Sequence, residues 1–146
     1  MTELMYWFDK VRVEMRAVLE RVDPEREVYP GWSMKENIAH ITGWEEVTIK
    51  SLRALKAGTA PYILPPKSID AHNDDMVRTR VSMSFEEVLR EWEGIRAGLI
   101  AAIAGLSEGD FEKWITFPWG PEGTVRDLLA IIADHEGEHA RELRRA

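Results

Sequence analysis

Cysteine is absent from this sequence of 146 residues, and basic residues are fewer than acidic ones. Without cysteine the chain can form no disulfide, thiolate metal site or cysteine nucleophile, so any thiol that reacts here must come from another molecule. Lysine and arginine number 19 against 26 aspartates and glutamates, a formal net charge of −7. An acidic chain binds phosphate backbones and anionic membranes poorly, so we expect neither nucleic acid nor membrane as a partner.

Long apolar runs are also missing. No segment reaches the roughly 18 uncharged apolar residues that a membrane span requires. The apolar N-terminal segment is interrupted by Glu3, Asp9 and Lys10, so it reads as neither a signal peptide nor a span. We therefore expect a cytoplasmic protein. Because domains typically contain about 100–150 residues, we also expect residues 1–146 to form a single domain.

Apolar residues recur at helical spacing through most of the chain. The spacing, two Ser-x-x-Glu capping boxes and the glycines and prolines between segments predict four long helices, at about residues 3–22, 34–57, 85–105 and 124–146. Residues 68–82 show a weaker helical pattern. Residues 114–119 suit an extended conformation, but Pro118 argues against a central strand. The prediction is an all-α four-helix bundle with a long connection between its second and third core helices.

Three histidines occupy positions that apolar side chains normally take. His135 and His139 are four residues apart and so share one helix face. At about 100° per residue, Leu128 and Ile132 lie about 20° and 60° from His135, so the pair falls inside the apolar stripe. His40 lies at one edge of the buried arc of the second helix. Helices two and four can therefore bring the three imidazoles together.

Buried imidazoles need partners, because an unpartnered buried polar group costs a few kcal/mol. Two interpretations follow: separate core histidines bonded to carboxylates or carbonyls, or a metal site. Finding His40, His135 and His139 at reachable positions favours the metal site, with three neutral imidazoles and an open position as in catalytic centres. Zinc fits best, and nickel, iron or copper also accept nitrogen ligands.

The same segment contains the His-Glu-x-x-His motif of metalloproteases, in which Glu136 would be the general base. Such proteases need a third ligand downstream. Only seven residues follow His139, none of them histidine, and no sheet is predicted that would align a peptide. A protease is therefore disfavoured. Glu136 remains a candidate catalytic base or partner of a metal ligand.

Further candidates come from the remaining polar and aromatic residues. His72 lies in a polar segment and is predicted to face solvent. Asn37 lies in the apolar arc of the second helix, where it either orients a ligand or is a satisfied core amide. Trp44 and Trp119 are candidates for lining a binding pocket, with core packing as the alternative.

The segments 31–45 and 123–139 resemble the DinB/YfiT-like superfamily of metal-binding four-helix bundles. The resemblance is carried by Trp32, His40 and Trp44 in the first segment and by the His-x-x-x-His pair of the final helix. It implies a divalent metal held by His40, His135 and His139. Members include mycothiol-dependent maleylpyruvate isomerases, bacillithiol S-transferases and hydrolase-like proteins, and dimers are common. Since activities diverge on this fold, the resemblance does not name the substrate.

Three hypotheses follow for the function. The leading one is a metal-dependent enzyme for thiol-dependent transfer or hydrolysis on a small molecule, such as a low-molecular-weight thiol, with a homodimer as its expected assembly. The alternative is a non-catalytic stress-response bundle that binds a ligand or the metal itself. The third is a structural dimer whose histidines only satisfy one another. Turnover separates the first two, and metal content separates both from the third.

Overall fold

The computed structural model describes residues 2–145. It contains five α-helices, one 3-10 helix and a two-stranded antiparallel ribbon. In chain order these are α1 (Thr2–Arg21), α2 (Met34–Ala57), α3 (Ile69–Arg78), α4 (Phe85–Ala104), the 3-10 helix (Glu108–Glu112), β1 (Trp114–Thr116), β2 (Glu122–Thr124) and α5 (Val125–Arg145). None of these helices is long and apolar enough to cross a bilayer.

Local signals set the ends of the long helices. The Ser33 backbone N–H donates to the Glu36 carboxylate over 2.8 Å at the start of α2, and Gly58 ends that helix with a φ of 69°. At the start of α4, Ser84 and Glu87 form the second predicted capping box. The predicted helix positions are thus confirmed to within a few residues.

The four long helices, α1, α2, α4 and α5, form the bundle. Helix α2 packs mainly on α4, and α1 packs mainly on α5. Each contributes fully buried apolar side chains, among them Phe8, Met15, Ile38, Leu52, Leu99, Ile103, Leu128 and Leu143. Removing such apolar surface from water is the main force that holds the helices together. The predicted all-α four-helix bundle with a long connection between its second and third core helices is confirmed.

The long connection carries α3, which begins where Ser68 Oγ accepts a hydrogen bond from the Ala71 backbone N–H. Helix α3 packs closely on α2 at Gly43, where a Cβ atom would lie 2.6 Å from Met76 Cγ. The helix predicted weakly for residues 68–82 is confirmed over Ile69–Arg78, whereas residues 79–82 form turns. This close approach brings α3 to the side of the bundle on which the histidines lie.

The segment before Pro118 is extended, as predicted, and it forms a short two-stranded ribbon and no central strand among the described residues. Trp114 pairs with Thr124 and Thr116 with Glu122 in an antiparallel hairpin. Pro118 lies in its turn, where the Phe117 N–H donates to the Pro121 carbonyl over 2.7 Å. A proline removes a ladder donor only inside a strand, so its place in the turn leaves the short ribbon intact.

Candidate functional site

The fold brings His40 of α2 together with His135 and His139 of α5. The Nε2 of His135 lies 3.1 Å from the Nε2 of His40 and 3.2 Å from that of His139. One ring nitrogen from each residue falls within 4.8 Å of the others. Residues separated by about a hundred positions in sequence therefore present their side chains to one point.

Hydrogen bonds between the imidazoles alone do not satisfy this cluster. The Nε2 of His135 takes part in both short contacts. A neutral imidazole nitrogen carries either one hydrogen or one lone pair, so it completes one of the two contacts and leaves the other without a hydrogen bond. The three rings stand nearly perpendicular to one another, at 82° to 88°. A cation at the shared point would satisfy all three lone pairs at once.

The separations also suit a transition metal. With metal–nitrogen bonds of about 2.0–2.1 Å, two ligands of a tetrahedral ion lie about 3.3 Å apart, close to the two Nε2 separations observed. Burial lowers the pKa of His135 to about 4 and that of His139 to about 3. Burial, with the neighbouring histidines, lowers the pKa of His40 to about 2. The cluster is therefore neutral at pH 7, the form in which imidazole binds metals.

Aromatic side chains from the loop before α2 pack on the cluster. The Trp32 ring lies 4.9 Å from the His40 ring, and the Tyr29 ring lies 6.2 Å from the His139 ring. Between these aromatics, Gly31 adopts a φ of 80°, which follows Pro30 as in a type II turn. The turn lets Tyr29 and Trp32 pair through their backbones and flank the imidazoles.

Two cavities meet at the cluster. The first, here called the histidine cavity, has a volume of about 560 Å³ and is lined by Tyr29, Pro30, Trp32, His40, Asp70, Asn73, Asp74, His135 and His139. The second, here called the apolar cavity, has a volume of about 310 Å³ and is lined by Trp44, Ile69, Asn73, Trp119, Ile131, Ile132, Asp134, His135 and Glu138. His135 and Asn73 line both, so the two form one connected site.

Of the three residues predicted as pocket candidates, two line a cavity and one does not. Trp44 and Trp119 both line the apolar cavity, with their rings 5.7 Å apart and nearly perpendicular. Asn37 is fully buried and lines neither cavity. Its Nδ2 donates to the Ser33 carbonyl over 2.8 Å, while its Oδ1 has no hydrogen-bond partner among the described residues. Asn37 therefore lies in the core, but only one end of its amide is hydrogen-bonded, so it is not the fully satisfied core amide of the first interpretation.

His72 is not at the surface, so the prediction that it faces solvent is wrong. Only 5% of the residue is exposed, and its ring lies 6.2 Å from the Trp44 ring in a nearly perpendicular arrangement. The close packing of α3 on α2 buries this face of an otherwise polar helix. His72 lines neither of the two cavities. It is a buried histidine outside the cluster.

Glu136 is not available as a general base. Its Oε1 accepts hydrogen bonds from Arg12 Nε over 3.0 Å and from Trp92 Nε1 over 2.8 Å, and its Oε2 accepts from Arg96. The side chain is 0% exposed. A base must reach the proton that it abstracts. The His-Glu-x-x-His spacing therefore lacks the base that a metalloprotease requires.

Glu136 belongs instead to a buried group of four charged residues, here called the charge quartet, which consists of Arg12, Glu45, Arg96 and Glu136. One Arg96 nitrogen donates to Glu45 Oε2 over 2.6 Å and also to Glu136, while Arg12 lies 3.6 Å from Glu45. Burial raises the pKa of Glu45, although Arg96 opposes the shift. Burial by itself lowers the pKa of Arg96, but Glu45 and Glu136 outweigh it, so the net shift is upward. Each long helix contributes one member.

Sequence reasoning missed the quartet and Asn73. The available signal for the quartet was a charged residue within an apolar stripe: Arg12 lies four residues after Phe8, and Arg96 four after Trp92. The available signal for Asn73 was its spacing from Asp70 and Asp74, because residues three and four positions apart lie on one face of a helix.

Comparisons with known proteins agree with this architecture. The uncharacterized protein YuaE of Bacillus subtilis (strain 168) is 25% identical over 122 residues, which cover 77% of this chain and 75% of the relative. An uncharacterised protein from Escherichia coli UTI89 has a similar structure, with a TM-score of 0.81 and 15% identity over 99% of this chain and 90% of that one.

A mycothiol-dependent maleylpyruvate isomerase also shares the fold, with a TM-score of 0.77 and 17% identity. The match covers 96% of this chain but only 60% of the isomerase. A family model described as the DinB superfamily matches residues 8–143. Since that match takes in nearly the whole chain, the protein belongs to the DinB superfamily.

Proposed function

We propose that this protein is a metal-dependent enzyme acting on a small molecule, with His40, His135 and His139 as the ligands of one divalent transition-metal ion. The proposal rests on one observation. The Nε2 of His135 lies close to two other imidazole nitrogens, and hydrogen bonding between the imidazoles can account for only one of these two contacts. Zinc fits the nitrogen donors and their separations best, and nickel and iron are the other candidates.

The reaction that we propose is thiol-dependent transfer or hydrolysis. A divalent ion held by three neutral imidazoles supplies a Lewis acid that lowers the pKa of a water molecule or thiol reaching it. The chain has no cysteine, so the thiol must enter from outside. Support comes from the similar fold of an isomerase described as mycothiol-dependent.

The surrounding residues have supporting roles in this proposal. Tyr29 and Trp32 pack against the imidazole rings and would limit their movement. The Nδ1 of His139 lies 3.5 Å from Glu142 Oε2. A modest closing of that distance would let the carboxylate accept the Nδ1 hydrogen and so orient the ring for its ligand role.

Non-catalytic binding of a metal or ligand is the second candidate. One observation favours it: the carboxylate next to His135 in the chain, Glu136, is occupied by three donors and cannot move a proton. Turnover of any thiol or ester substrate by the metal-loaded protein, absent in a His135→Ala variant, would decide in favour of the enzyme.

The first test is elemental mass spectrometry of protein purified without a histidine tag. We expect about one equivalent of a divalent transition metal, lost in His135→Ala and His139→Ala. His72→Ala is the control, because His72 is a buried histidine that lies outside the cluster, and this variant should retain the metal. Metal-free protein that takes up neither added zinc nor added nickel would refute the proposal, as would unchanged stoichiometry in the cluster variants.

A further inference from the structure

We infer that the substrate of this site is a small molecule without negative charge, whose apolar group occupies the apolar cavity and whose hydrogen-bond acceptor is bound by Asn73. The inference rests on the proposed function, since it names the class of molecule that reaches the histidine cluster. It gives a role to Asn73, which no motif of the sequence marks, and it follows from the shape, hydrogen bonding and charge of the two cavities.

The two connected cavities can each hold one part of the same substrate molecule. His135 and Asn73 line both cavities, so a molecule with one end at the histidines has its other end against Trp44, Trp119 and Ile132. The apolar cavity measures about 310 Å³. A cavity of about 150 Å³ with apolar walls already holds benzene, so a ring with substituents fits here.

The orientation of the Asn73 amide follows from its one hydrogen bond to a tryptophan. Trp44 Nε1 lies 2.7 Å from Asn73 Oδ1. An indole N–H is only a donor, so the end of the amide that faces it must be the oxygen. The Nδ2 group is therefore the end of the amide turned away from Trp44, and because Asn73 lines both cavities, a molecule in them can reach its hydrogens. A carbonyl or hydroxyl oxygen of the substrate is the matching acceptor.

Charge disfavours anions at the same site, because the four exposed carboxylates that line it outnumber the two positive charges of the proposed metal ion. Asp70 and Asp74 line the histidine cavity, and Asp134 and Glu138 line the apolar cavity. No lysine or arginine within residues 2–145 lines either one. A cleft lined by charges of one sign repels ligands of that sign and concentrates the opposite one. Neutral and cationic molecules are thus favoured over carboxylates and phosphates.

The test uses three probes that share a benzyl group and an acetamide acceptor: N-benzylacetamide, its para-carboxylate and its para-aminomethyl analogue. Binding is followed by NMR through the indole N–H signals of Trp44 and Trp119, first in metal-free protein and then with zinc. We expect the neutral and cationic probes to shift both signals. At low ionic strength the carboxylate should bind about 5-fold more weakly or worse, and added salt should narrow the difference.

Separate variants test the hydrogen bond from Asn73 and the preference against negatively charged molecules. Asn73→Asp keeps an acceptor for Trp44 but replaces the donor group, so it should weaken the neutral probe about 5-fold or more, as is typical for loss of one hydrogen bond. Asp134→Asn combined with Glu138→Gln should narrow the ratio between the affinities of the neutral probe and the carboxylate probe. Glu86→Gln, which removes an exposed carboxylate lining neither cavity, is the control and should change nothing.

Three results would overturn the inference: indole signals that no probe shifts, a carboxylate probe that binds as tightly as the neutral one, or an Asn73→Asp variant with unchanged affinity. Trp44→Phe checks that the amide orientation matters, because without the indole the amide is free to rotate, and neutral binding should weaken. These readouts need no bound metal. Failure of the metal proposal appears separately, in the zinc stoichiometry of the same samples.

Discussion

Arg12 and Glu136 form a buried ion pair across 124 positions of sequence, with Arg12 Nε 3.0 Å from Glu136 Oε1. The pair joins α1 to α5, and Trp92 of α4 donates to the same oxygen. Because Glu136 points its carboxylate into the bundle, the neighbouring His135 is turned towards α2 and His40. The charge quartet and the histidine cluster are therefore two consequences of one orientation of α5.

Replacing Glu136 by glutamine should destabilise the protein severely. The substitution keeps the shape but leaves Arg12 and Arg96 buried with one negative charge fewer. Breaking a buried pair in this way costs about 3–5 kcal/mol. Urea unfolding of the metal-free variant measures the loss. Glu112→Gln is the control, because the side chains of Glu112 and its partner Arg126 are both exposed and this pair should contribute about 1 kcal/mol or less. Equal losses in the two variants would contradict this assignment.

Zinc should stabilise the folded protein through the histidine cluster. A ligand that binds only the native state adds about 2.7 kcal/mol at 100 times its dissociation constant, so the midpoint of thermal unfolding should rise with zinc. His135→Ala should abolish the rise, because His135 makes both short contacts. His72→Ala should retain it. A rise that survives in His135→Ala would place the zinc site elsewhere.

The metal-free protein should lose stability in mild acid because of its buried imidazoles. Burial holds the pKa values of His40, His135 and His139 at about 2, 4 and 3. Below about pH 6.5 the unfolded chain binds protons at these histidines that the folded chain does not bind, so the free energy of unfolding falls as the pH falls from about 6.5 towards 4.

Denaturant midpoints at pH 7 and pH 5 measure this effect. The wild-type protein should lose more stability between the two values than His40→Ala does, because the variant lacks one of the three linked sites. Carboxylates that titrate in the same range contribute to both proteins and cancel in the comparison. An identical loss in both would show that His40 is not buried in its neutral form.

Adding a methyl group at Gly43 should displace α3. The new Cβ would lie 2.6 Å from Met76 Cγ and 2.8 Å from Met76 Cβ, too near the α3 backbone for a change of side-chain rotamer to relieve the clash. We expect Gly43→Ala to cost about 1–3 kcal/mol, as overpacked cores do. It should also move the Trp44 indole N–H signal in NMR, since Asn73 of α3 accepts that hydrogen bond.

Gly94→Ala provides the matched control for this substitution. Gly94 lies inside α4, and a Cβ there would meet nothing within 4 Å. Alanine is favoured over glycine inside a helix, so this variant should be neutral or more stable by about 0.5–1 kcal/mol, with an unchanged Trp44 signal. A Gly43→Ala variant that behaves in the same way would mean that α3 tolerates displacement.

Much of the helical framework could be predicted from sequence because its signals are local. The capping boxes at Ser33 and Ser84 and the left-handed Gly58 act within a few residues of themselves. The burial of His72 could not be predicted, because the covering surface comes from α2 and the polar pattern around His72 does not encode it. The extended conformation near Trp114 was predicted, but the pairing of Trp114–Thr116 with Glu122–Thr124 was not, since three-residue strands carry almost no periodicity.

The amino-acid sequence by itself determined where the long helices run and that His135 and His139 share a face, because helical periodicity depends only on spacing along the chain. Only the tertiary structure decided that His40 lies beside this pair of histidines and that the Glu136 carboxylate accepts its hydrogen bonds from Arg12 and Arg96. Those outcomes depend on how helices distant in sequence rotate and pack against one another. That rotation is set by the whole core at once, and no single segment encodes it.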